Sequence, residues 1–403
     1  MSGVRGPLTG LKVIELAHVM AGPVCGLMLA DMGADVIKVE RVPGGDDCRK
    51  FRPPESGGES SAFMTMNRNK RGIAVNLKLA EGQELLRRML RSADVVIENY
   101  RSGTMERLGL GYETLRQDNP GLILCEISGF GRSGPYAERG GFDLIAQGMS
   151  GLMSITGEGP DRPPVKVGAP VTDITAGILG AMGVAAAYAR RLQTGEGQRV
   201  DTSLFEAGIV HTYWQSAIAL ATGVAPGPMG SAHPLNAPYQ AFRTADGWLN
   251  LGAANQANWL RMLEVLEEPE LAADERFADN ASRLKNRLAL AGELEKIFAR
   301  RTTADWLARL EAVGVPAGPV LNVSEMHEDP QTIAREMVVE VDHPTAGPVR
   351  SIGLPVKFSA TPGVLDRPAP LLGQHSREVL SEVGLTAKEI DDLVAAGVVI
   401  CAE

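Results

Sequence analysis

The stretch LKVIELAHVMAGPVCGLMLADMGADVIKVE, residues 11–40, decides the fold. Its first part, LKVIELA (11–17), is a short apolar run typical of a buried strand, and ADVIKVE (34–40) is a second run of the same kind. Between them, GPVCGLMLADMG has the composition of a helix that packs closely through Gly22 and Gly26. Strands separated by a helix predict a parallel sheet with helices on its faces.

The same alternation continues to about residue 200. EGQELLRRMLRSA is an amphipathic helix, and the strands DVVIENY and GLILCEISGFG follow it. Ligands of such doubly wound sheets gather at the carboxyl ends of the strands. However, the turn after the first strand is HVMAGP, and the sequence contains neither G-x-G-x-x-G at that turn nor a P-loop. Dinucleotide oxidoreduction and ordinary phosphoryl transfer therefore lose most of their support.

The character of the chain changes after about residue 222. APYQAFRTADGWLNLGAAN has an Asp-Gly turn between two strand-like runs, which indicates a hairpin, and TTADWLARLEAVG is a helix capped by Thr302 or Thr303. The closing helix TAKEIDDLVAAG begins with the capping-box pair Thr386 and Glu389. We therefore expect a large α/β domain built from residues 1–222 and 331–403, with a smaller α+β domain inserted at 223–330.

Composition restricts the class of protein. The 403 residues carry a net charge of −9, with 44% hydrophobic and 22% charged residues, which is ordinary for a folded soluble chain and argues against a general nucleic-acid surface. The N-terminus lacks the apolar core of a secretory signal, and the most apolar stretch, Ala176–Ala189, is interpreted as a buried helix too short to cross a bilayer. The four scattered cysteines predict reduced thiols in a cytoplasmic enzyme: Cys25, Cys48, Cys125 and Cys401.

One acid stands before that apolar stretch, Asp173 in GAPVTDITAGILGAMG (168–183). On local grounds the favoured interpretation is helix capping. The six histidines give no metal-ligand pair at helical spacing, and no G-x-S-x-G elbow occurs. His18 follows the first strand, where both a ligand contact and a satisfied turn histidine fit. The basic side chains of the first half fit either a solvated face or a site for a phosphorylated ligand: Lys38, Arg41, Arg68, Lys70, Arg71, Lys78, Arg101 and Arg107.

Taken together, several ordered stretches resemble the class III CoA-transferases, the CaiB/BaiF group that includes formyl-CoA transferase. They are HVMAGPVCGLMLADMGADVIKVER, NRNKRGIAVNLK, ADVVIENYRSGTMERLGLGYE, ISGFGRSGPY, GFDLIAQGMSGLM, VTDITAG and GEGQRVDTSLFEA, followed by GAANQANW and LLGQHSREVL. The resemblance covers essentially the whole chain. It is closest to succinyl-CoA-dependent dicarboxylate transferases such as succinate–hydroxymethylglutarate CoA-transferase.

The resemblance implies a role for each matching residue. Asp173 matches the catalytic aspartate, and Asp143 matches an acidic residue near the reacting centre. Arg41 matches a residue against the adenine, and Arg139 lies close to a position where relatives hold phosphates with lysine. The remaining matches are contacts along the CoA channel: His18, Val19, Met20, Ala21, Val75, Lys78, Asn99, Tyr100 and Arg107. No metal is implied, and CoA enters as part of the substrate rather than as a permanently bound cofactor.

The resemblance also implies an activity, a Rossmann-like large domain and an interlocked homodimer. A carboxylate nucleophile at Asp173 would form an aspartyl–acyl anhydride and then an aspartyl–CoA thioester, moving CoA from succinyl-CoA to a short carboxylic acid. Met20 stands where formyl-CoA transferases have glutamine, which counts against formyl-CoA and oxalate, because a thioether cannot donate a hydrogen bond. GAANQ (252–256) matches a glycine-rich shielding loop but has fewer glycines, so a mobile lid is not predicted with it.

Two alternatives remain open from the sequence. An α-methylacyl-CoA racemase would share the fold but pairs its aspartate with the histidine of a GHD stretch, and here Phe142 of GFD replaces that histidine. A CoA-binding protein without catalysis is the other alternative, and the retained Asp173 argues against it. The pattern leaves the donor and acceptor acids undetermined, and it predicts neither a nucleic-acid nor a membrane partner.

Overall fold

The computed structural model of the chain describes residues 5–402. Within them, the chain divides into two compact units. The first unit combines the residues up to Ser150, Val167–His211 and the residues from Pro330 onward. The second unit combines Gly151–Lys166 and Thr212–Asp329.

The strands of the described residues are numbered in chain order. They are β1 (Lys12–Glu15), β2 (Asp35–Arg41), β3 (Glu55–Ser56), β4 (Glu59–Ser60), β5 (Lys70–Val75), β6 (Val95–Glu98), β7 (Ile123–Ser128), β8 (Arg199–Ser203), β9 (Tyr239–Arg243), β10 (Trp248–Gly252), β11 (Ala317–Pro319), β12 (Val338–His343), β13 (Gly347–Ile352) and β14 (Val399–Ile400).

The helices are numbered in the same way. They are α1 (Ala21–Asp31), α2 (Ser61–Asn67), α3 (Ala80–Leu90), α4 (Thr104–Arg107), α5 (Tyr112–Asp118), α6 (Asp143–Met149), α7 (Leu152–Ile155), α8 (Val171–Thr194), α9 (Leu204–Val210), α10 (Tyr213–Thr222), α11 (Gln256–Leu266), α12 (Pro269–Ala273), α13 (Asn280–Lys285), α14 (Arg287–Phe298), α15 (Thr303–Ala312), α16 (Val323–Glu328), α17 (Pro330–Ala334), α18 (Ser376–Glu382) and α19 (Ala387–Ala395). Two short 3-10 helices lie at Asp47–Lys50 and Glu275–Phe277.

A seven-stranded sheet forms the centre of the first unit, in the order β14-β5-β2-β1-β6-β7-β8. The six strands from β5 to β8 in this order run parallel, as the alternating pattern predicts. The edge strand β14 pairs antiparallel with β5, so the sheet is mixed rather than purely parallel. Neither β5 nor β14 was predicted, because charged residues begin β5 and β14 has only two residues.

Alternate side chains of this sheet pack into two separate cores. Ile14 and Val96 face one core, which α3 and the C-terminal helices α18 and α19 complete. Val13 and Val95 face the other core, which includes α1 and α8. This period of two is the geometry of a strand buried on both faces. It explains why these strands appear in the sequence as continuous apolar runs.

Helix α1 approaches the sheet as closely as its glycines allow. A Cβ at Gly22 would lie 2.1 Å from the Cβ of Ala17, and a Cβ at Gly26 would lie 1.8 Å from Oε2 of Glu15. Side chains at these positions would therefore force the helix away from β1. The close packing predicted through both glycines is confirmed.

Helix α8 has 24 residues, so the sequence-based view of an apolar stretch too short to cross a bilayer was wrong. Among the described residues, α8 is the helix whose length and apolar composition would suffice for a membrane span. Its small-residue face, including Ala176 and Gly180, is buried in the first unit, whereas Ile178 and Met182 on the other side are exposed. Core helices of soluble proteins meet the same criterion, so length and composition alone assign no membrane role to α8.

The second unit contains a three-stranded antiparallel sheet, β11-β10-β9. The predicted hairpin is confirmed, with Trp248 opposite Arg243 across the turn. Its core packs aromatic side chains, among them Trp259, Phe298 and Trp306. The side chain of Thr302 caps α15 by accepting the N–H of Asp305.

The unit boundaries differ from the predicted ones. Residues 212–222 and the segment 151–166 belong to the second unit, although both were assigned to the large domain. No glycine or proline marks the change between α9 and α10, so the sequence carries no turn signal there. The segment 151–166 is rich in glycine and proline, and it was included in the large domain without a structure of its own.

Candidate active site

A cavity of about 290 Å³ opens in the first unit beside the carboxyl ends of β1, β6 and β7. This is the edge at which a doubly wound sheet is expected to bind a ligand. The lining residues come from five segments: His18–Ala21, Asn99–Ser102, Ile127–Gly129 with Arg132, the 137–142 segment, and Asp173 with Leu204. Eight predicted site residues line it: His18, Val19, Met20, Ala21, Asn99, Tyr100, Arg139 and Asp173.

The turn between β1 and α1 forms one wall of the cavity. The amide group of Asn99 receives the N–H of His18 at 2.9 Å and donates to the carbonyl of His18 at 2.9 Å. The next residue, Val19, has φ +64°, and its N–H is bonded to both carboxylate oxygens of Asp46 at 3.0 and 3.2 Å. The turn is therefore fixed by side chains from two other segments.

The imidazole of His18 lies 5.5 Å from the ring of Tyr100, and its Nδ1 is buried without a partner among the described residues. Burial, followed by the positive charge of Lys38, lowers the pKa of His18 below its ordinary value. The ring is therefore neutral at pH 7. A neutral His18 can offer a ligand a donor or an acceptor, but no charge.

Asp173 lies in the first turn of α8, and its side chain does not cap that helix. Instead, Oδ1 of Asp143 receives the N–H of Thr172 at 3.0 Å and its hydroxyl at 2.8 Å. The local capping interpretation of Asp173 was wrong, because an aspartate 30 residues upstream already satisfies the helix end. Within residues 5–402, the Asp173 carboxylate has no hydrogen-bond or ion-pair partner.

Burial and the like charge of Asp143 together raise the pKa of Asp173 to about 6. The positive end of the α8 dipole favours the ionised form of Asp173, but burial and the charge of Asp143 outweigh this effect. At pH 7 the group is still mostly ionised, but it is poorly solvated. A desolvated carboxylate facing a cavity is suited to nucleophilic attack.

Asp143 itself does not line the cavity, although it was predicted near the reacting centre. Gln147 donates to its Oδ2 at 2.8 Å and receives the N–H of Val167 at 2.9 Å, so the pair connects α6 to the segment before α8. Gln147 is fully buried. The role of Gln147 was not predicted, because it depends on a contact across 20 residues.

Two glycines bring the 137–142 segment against the end of β7. A Cβ at Gly141 would lie 2.6 Å from the Cα of Gly129, so no side chain fits at either position. Phe142 then follows in the cavity wall with 80% of its surface exposed. A phenyl ring occupies the position at which the racemase alternative requires a base.

Four predicted CoA contacts lie outside the cavity lining but at the same sheet edge. Arg41 ends β2 and pairs with Asp47, and Val75 ends the adjacent β5 opposite Arg41. Lys78 follows β5 and Arg107 ends α4 after β6, and both are exposed. The carboxyl ends of neighbouring parallel strands thus place three cations at one edge of the sheet: Arg41, Lys78 and Arg107. The contact of these cations with CoA stays a prediction.

Several basic residues do not form the anion site that their clustering suggested. Arg71 is bound by Asp35, Glu378 and Glu382, so it is not open to the phosphorylated ligand considered for it. Arg68 pairs with Asp31, again away from the cavity lining. Burial in ion pairs, rather than solvation or ligand binding, explains these cations.

Arg139 and Arg101 are exposed cations in the cavity lining. The guanidinium of Arg139 lies 4.0 Å from the centre of the Tyr136 ring, and within residues 5–402 it has no carboxylate partner. It is therefore available to an anionic group of a ligand.

A buried ion cluster in the cavity wall, centred on Arg132, was not predicted. Arg132 contacts the carboxylate of Glu98 and the carbonyl of Tyr100, and its Nε lies 3.1 Å from Glu126. Burial, partly offset by Arg132 and increased by Glu126, raises the pKa of Glu98 to about 7. Acidic residues at the ends of two apolar strand runs were the signal that could have revealed this cluster.

No group of three or more metal-ligating side chains occurs in the part of the chain that the structure describes. The cysteines are free thiols, and Cys25, Cys48 and Cys125 are buried.

Comparison with known proteins identifies the class. Residues 8–376 match the model of CoA-transferase family III. The succinate–glutarate CoA-transferase of Agrobacterium fabrum is 42% identical over 95% of this chain and 97% of its own length. The succinyl-CoA:mesaconate CoA-transferase of Haloarcula marismortui is 41% identical over 94% of this chain and 97% of its own.

A solved structure supports the same assignment. The crystal structure of a CaiB/BaiF family protein from Brucella suis has 42% sequence identity and a TM-score of 0.84, covering 94% of this chain and all of that one. The fold and the site thus define an enzyme that transfers CoA. The chain belongs to CoA-transferase family III, the CaiB/BaiF family, and these relatives favour the transferase over the racemase.

Proposed function

We propose that this enzyme transfers CoA from succinyl-CoA to a short dicarboxylate, with Asp173 as the nucleophile. The observation that carries the proposal is the Asp173 carboxylate, which faces the cavity without a partner in the described chain and has its pKa raised to about 6. Relatives named for glutarate and mesaconate support the substrate class.

The reaction is written as two exchanges at one carboxylate. Asp173 attacks the thioester carbonyl, the C–S bond breaks, and CoA leaves as a thiolate from a mixed aspartyl–succinyl anhydride. The thiolate then attacks the aspartyl carbonyl carbon, which forms an enzyme–CoA thioester and releases succinate. The acceptor carboxylate repeats both steps in reverse, so each difficult exchange is divided into easier covalent steps.

The cavity supports this chemistry in two ways. Ala21, Ile127 and Leu204 supply apolar wall, which limits access of the water that would hydrolyse an anhydride. Phe142 cannot carry a proton, so the two-base exchange of a racemase has no second base at that position. Both features favour transfer between carboxylates.

We assign the CoA moiety to the sheet edge described above. Arg41, Lys78 and Arg107 supply positive charge for the adenosine phosphates, and the turn His18–Ala21 with Asn99 and Tyr100 borders the pantetheine path. Arg139 supplies a further cation at the cavity, suited to a phosphate or to the distal carboxylate of a dicarboxylate. CoA is the sole cofactor-like group in this proposal, and it belongs to the substrate.

A panel of donors and acceptors tests the function. Succinyl-CoA is mixed with glutarate, mesaconate, malate, itaconate or oxalate, and the CoA products are identified by mass spectrometry. Transfer to at least one dicarboxylate longer than oxalate is expected. Turnover of formyl-CoA with oxalate, combined with none from succinyl-CoA, would contradict the proposal.

Trapping tests the nucleophile directly. Wild-type enzyme treated with succinyl-CoA and hydroxylamine should carry a hydroxamate on the peptide that contains Asp173. Asp173→Ala and Asp173→Asn should lose transfer and the hydroxamate, whereas Asp392→Asn on exposed α19 should keep both. An unmodified Asp173 peptide during normal turnover would show that another group is acylated.

We also propose a cytoplasmic homodimer. An exposed apolar surface on α6 and α8 supports the assembly; it consists of Leu144, Ile145, Met149, Ile178 and Met182, each at least 41% exposed. Large exposed apolar patches on soluble proteins mark interaction sites, which fits a surface that a second copy of the chain covers. The four free cysteines fit a reducing compartment.

A further inference from the structure

The conformation of Val19 requires an explanation. Among residues 5–402, four non-glycine residues have positive φ, and Val19 is the β-branched one. A β-branched side chain in the left-handed region is a genuine outlier, and such strain persists where the surroundings impose it. Val19 also lines the cavity that contains Asp173.

Asp46 imposes this conformation from a fully buried position. Its two oxygens receive the N–H of Val19, and Oδ1 also receives the N–H of Cys48 at 2.9 Å. The backbone N–H of Asp46 is in turn bonded to Glu40 at 2.9 Å. The carboxylate is therefore held by its own segment and directed at the turn.

Lys38 connects Asp46 to the end of β1. Its ammonium group, fully buried, lies 2.9 Å from Asp46 and donates to the carbonyl of Ala17 at 2.9 Å and to Glu15 at 3.0 Å. Ala17 directly precedes His18. A closed ring of contacts thus runs from Ala17 through Lys38 and Asp46 to Val19, and we call Lys38 and Asp46 the turn clamp.

Stability alone does not explain why Lys38 and Asp46 are buried here, because a buried ion pair is often no more stabilising than apolar residues of similar size. Asp46 nevertheless stays charged: burial opposes ionisation, but Lys38 and the Cys48 N–H lower its pKa to about 2. A charged acceptor forms a stronger hydrogen bond than a neutral one, so the ionised Asp46 is suited to holding the N–H of the strained Val19.

We infer that Asp46 is a positioning residue for CoA transfer, which holds Val19 in the left-handed conformation and so fixes the His18–Met20 turn beside Asp173. The inference rests on the proposed function, since it concerns the reaction at Asp173. Asp46 itself does not line the cavity. It acts through the backbone of Val19.

A double-mutant cycle tests the inference. Asp46→Asn is expected to lower kcat for transfer from succinyl-CoA at least tenfold, with a change of less than threefold in the Kd of CoA. Glycine adopts positive φ without strain, so Val19→Gly removes the need for the clamp. In a Val19→Gly background, Asp46→Asn should therefore lower kcat less than threefold.

Glu15→Gln is the matched control. It disturbs the same Lys38 without touching the bond to Val19, so its effects on kcat and stability should be the same in both backgrounds. If the cluster had a purely structural role, Asp46→Asn would also have the same effect in the wild-type and Val19→Gly backgrounds, so the two substitutions would be additive. That additivity, or an unchanged kcat in Asp46→Asn, would overturn the inference.

The readouts separate the two proposals. A wild-type enzyme without transfer or acylation of Asp173 overturns the proposed function, and the positioning role with it. A wild-type enzyme that transfers normally, with additive variants, overturns the positioning role alone. If Asp46→Asn does not fold, Asp46→Glu repeats the cycle under the same criteria, because it keeps the charge beside Lys38 and moves the oxygens by one methylene.

Discussion

At the scale of the residue, the proposed reaction makes the pKa of Asp173 set the pH dependence of the first step. A nucleophilic carboxylate must be ionised, and burial with the charge of Asp143 raises its pKa to about 6. Formation of the enzyme–CoA thioester should therefore rise about tenfold per pH unit below 6 and level off above 7. Rapid quenching of enzyme with succinyl-CoA, without an acceptor, followed by mass spectrometry measures this rate.

Asp143→Asn separates the ionisation of Asp173 from that of other groups. The amide oxygen can still receive the N–H of Thr172, but the like charge is gone. The midpoint of the pH profile should move below that of the wild type, while the plateau rate stays within the same order. A midpoint that does not move would assign the titration to a group other than Asp173.

The same shift predicts a conflict between stability and activity. An aspartate with a raised native pKa destabilises the folded state above about pH 6, and this cost disappears as the pH falls toward 3.8. Asp173→Asn removes the cost, so it should stabilise the protein at pH 8 by about 1–3 kcal/mol, allowing for partial solvent access. Thermal unfolding at pH 8 and pH 5 should show a gain that shrinks at the lower pH.

The sequence alone singles out Asp173 for its proposed role, because the VTDITAG motif contains it. The electrostatics of Asp173 could not be predicted, because Asp143 contacts α8 from another helix, where Gln147 holds it. Asp46 escaped notice for the same reason. Its significance depends on the φ angle of Val19, which no local pattern announces.

At the scale of the element, α1 depends on a glycine where it crosses β1. Gly26→Ala would place a Cβ about 1.8 Å from the buried carboxylate of Glu15, which also binds Lys38 and Lys70. We expect a loss of at least about 2 kcal/mol in the free energy of unfolding, because overpacking and a disturbed buried charge act together. Urea denaturation measures the loss.

Gly292→Ala in α14 is the control for this change. A Cβ there meets no atom within 4 Å, so helix propensity alone should act and stabilise the protein by about 0.5–1 kcal/mol. Gly26→Ala should therefore lower the free energy of unfolding, whereas Gly292→Ala should raise it. Equal effects would show that the close approach of α1 and β1 is relaxed in solution.

Elements with a strong local code were predictable. The parallel strands β1, β2, β6 and β7, the hairpin of β9 and β10 and the capping box of α19 follow from periodicity, turn residues and cap residues. The two-residue strand β14 and the change of unit between α9 and α10 depend on tertiary pairing, for which the sequence has no local signal.

At the scale of the whole molecule, the exposed apolar surface on α6 and α8 predicts self-association. Met182 is 61% exposed and Ile178 is 45% exposed on a helix whose opposite face is buried in the core. Exposing this surface to water is unfavourable by roughly 25 cal/mol per Å² of apolar area. A dimer in which a second copy of the chain covers the surface would therefore be stabilised. Sedimentation at micromolar concentration should give twice the 42.8 kDa mass of the chain.

Met182→Asp tests whether this surface forms the contact. A charge desolvated in an apolar interface is costly, so the variant should sediment as a monomer or with a much weaker association constant. Leu288→Asp on α14, at a position 79% exposed in the second unit, should leave the sedimentation unchanged and controls for the added charge. A wild-type monomer would refute the dimer, and a Met182→Asp dimer as tight as the wild type would place its contact elsewhere on the chain.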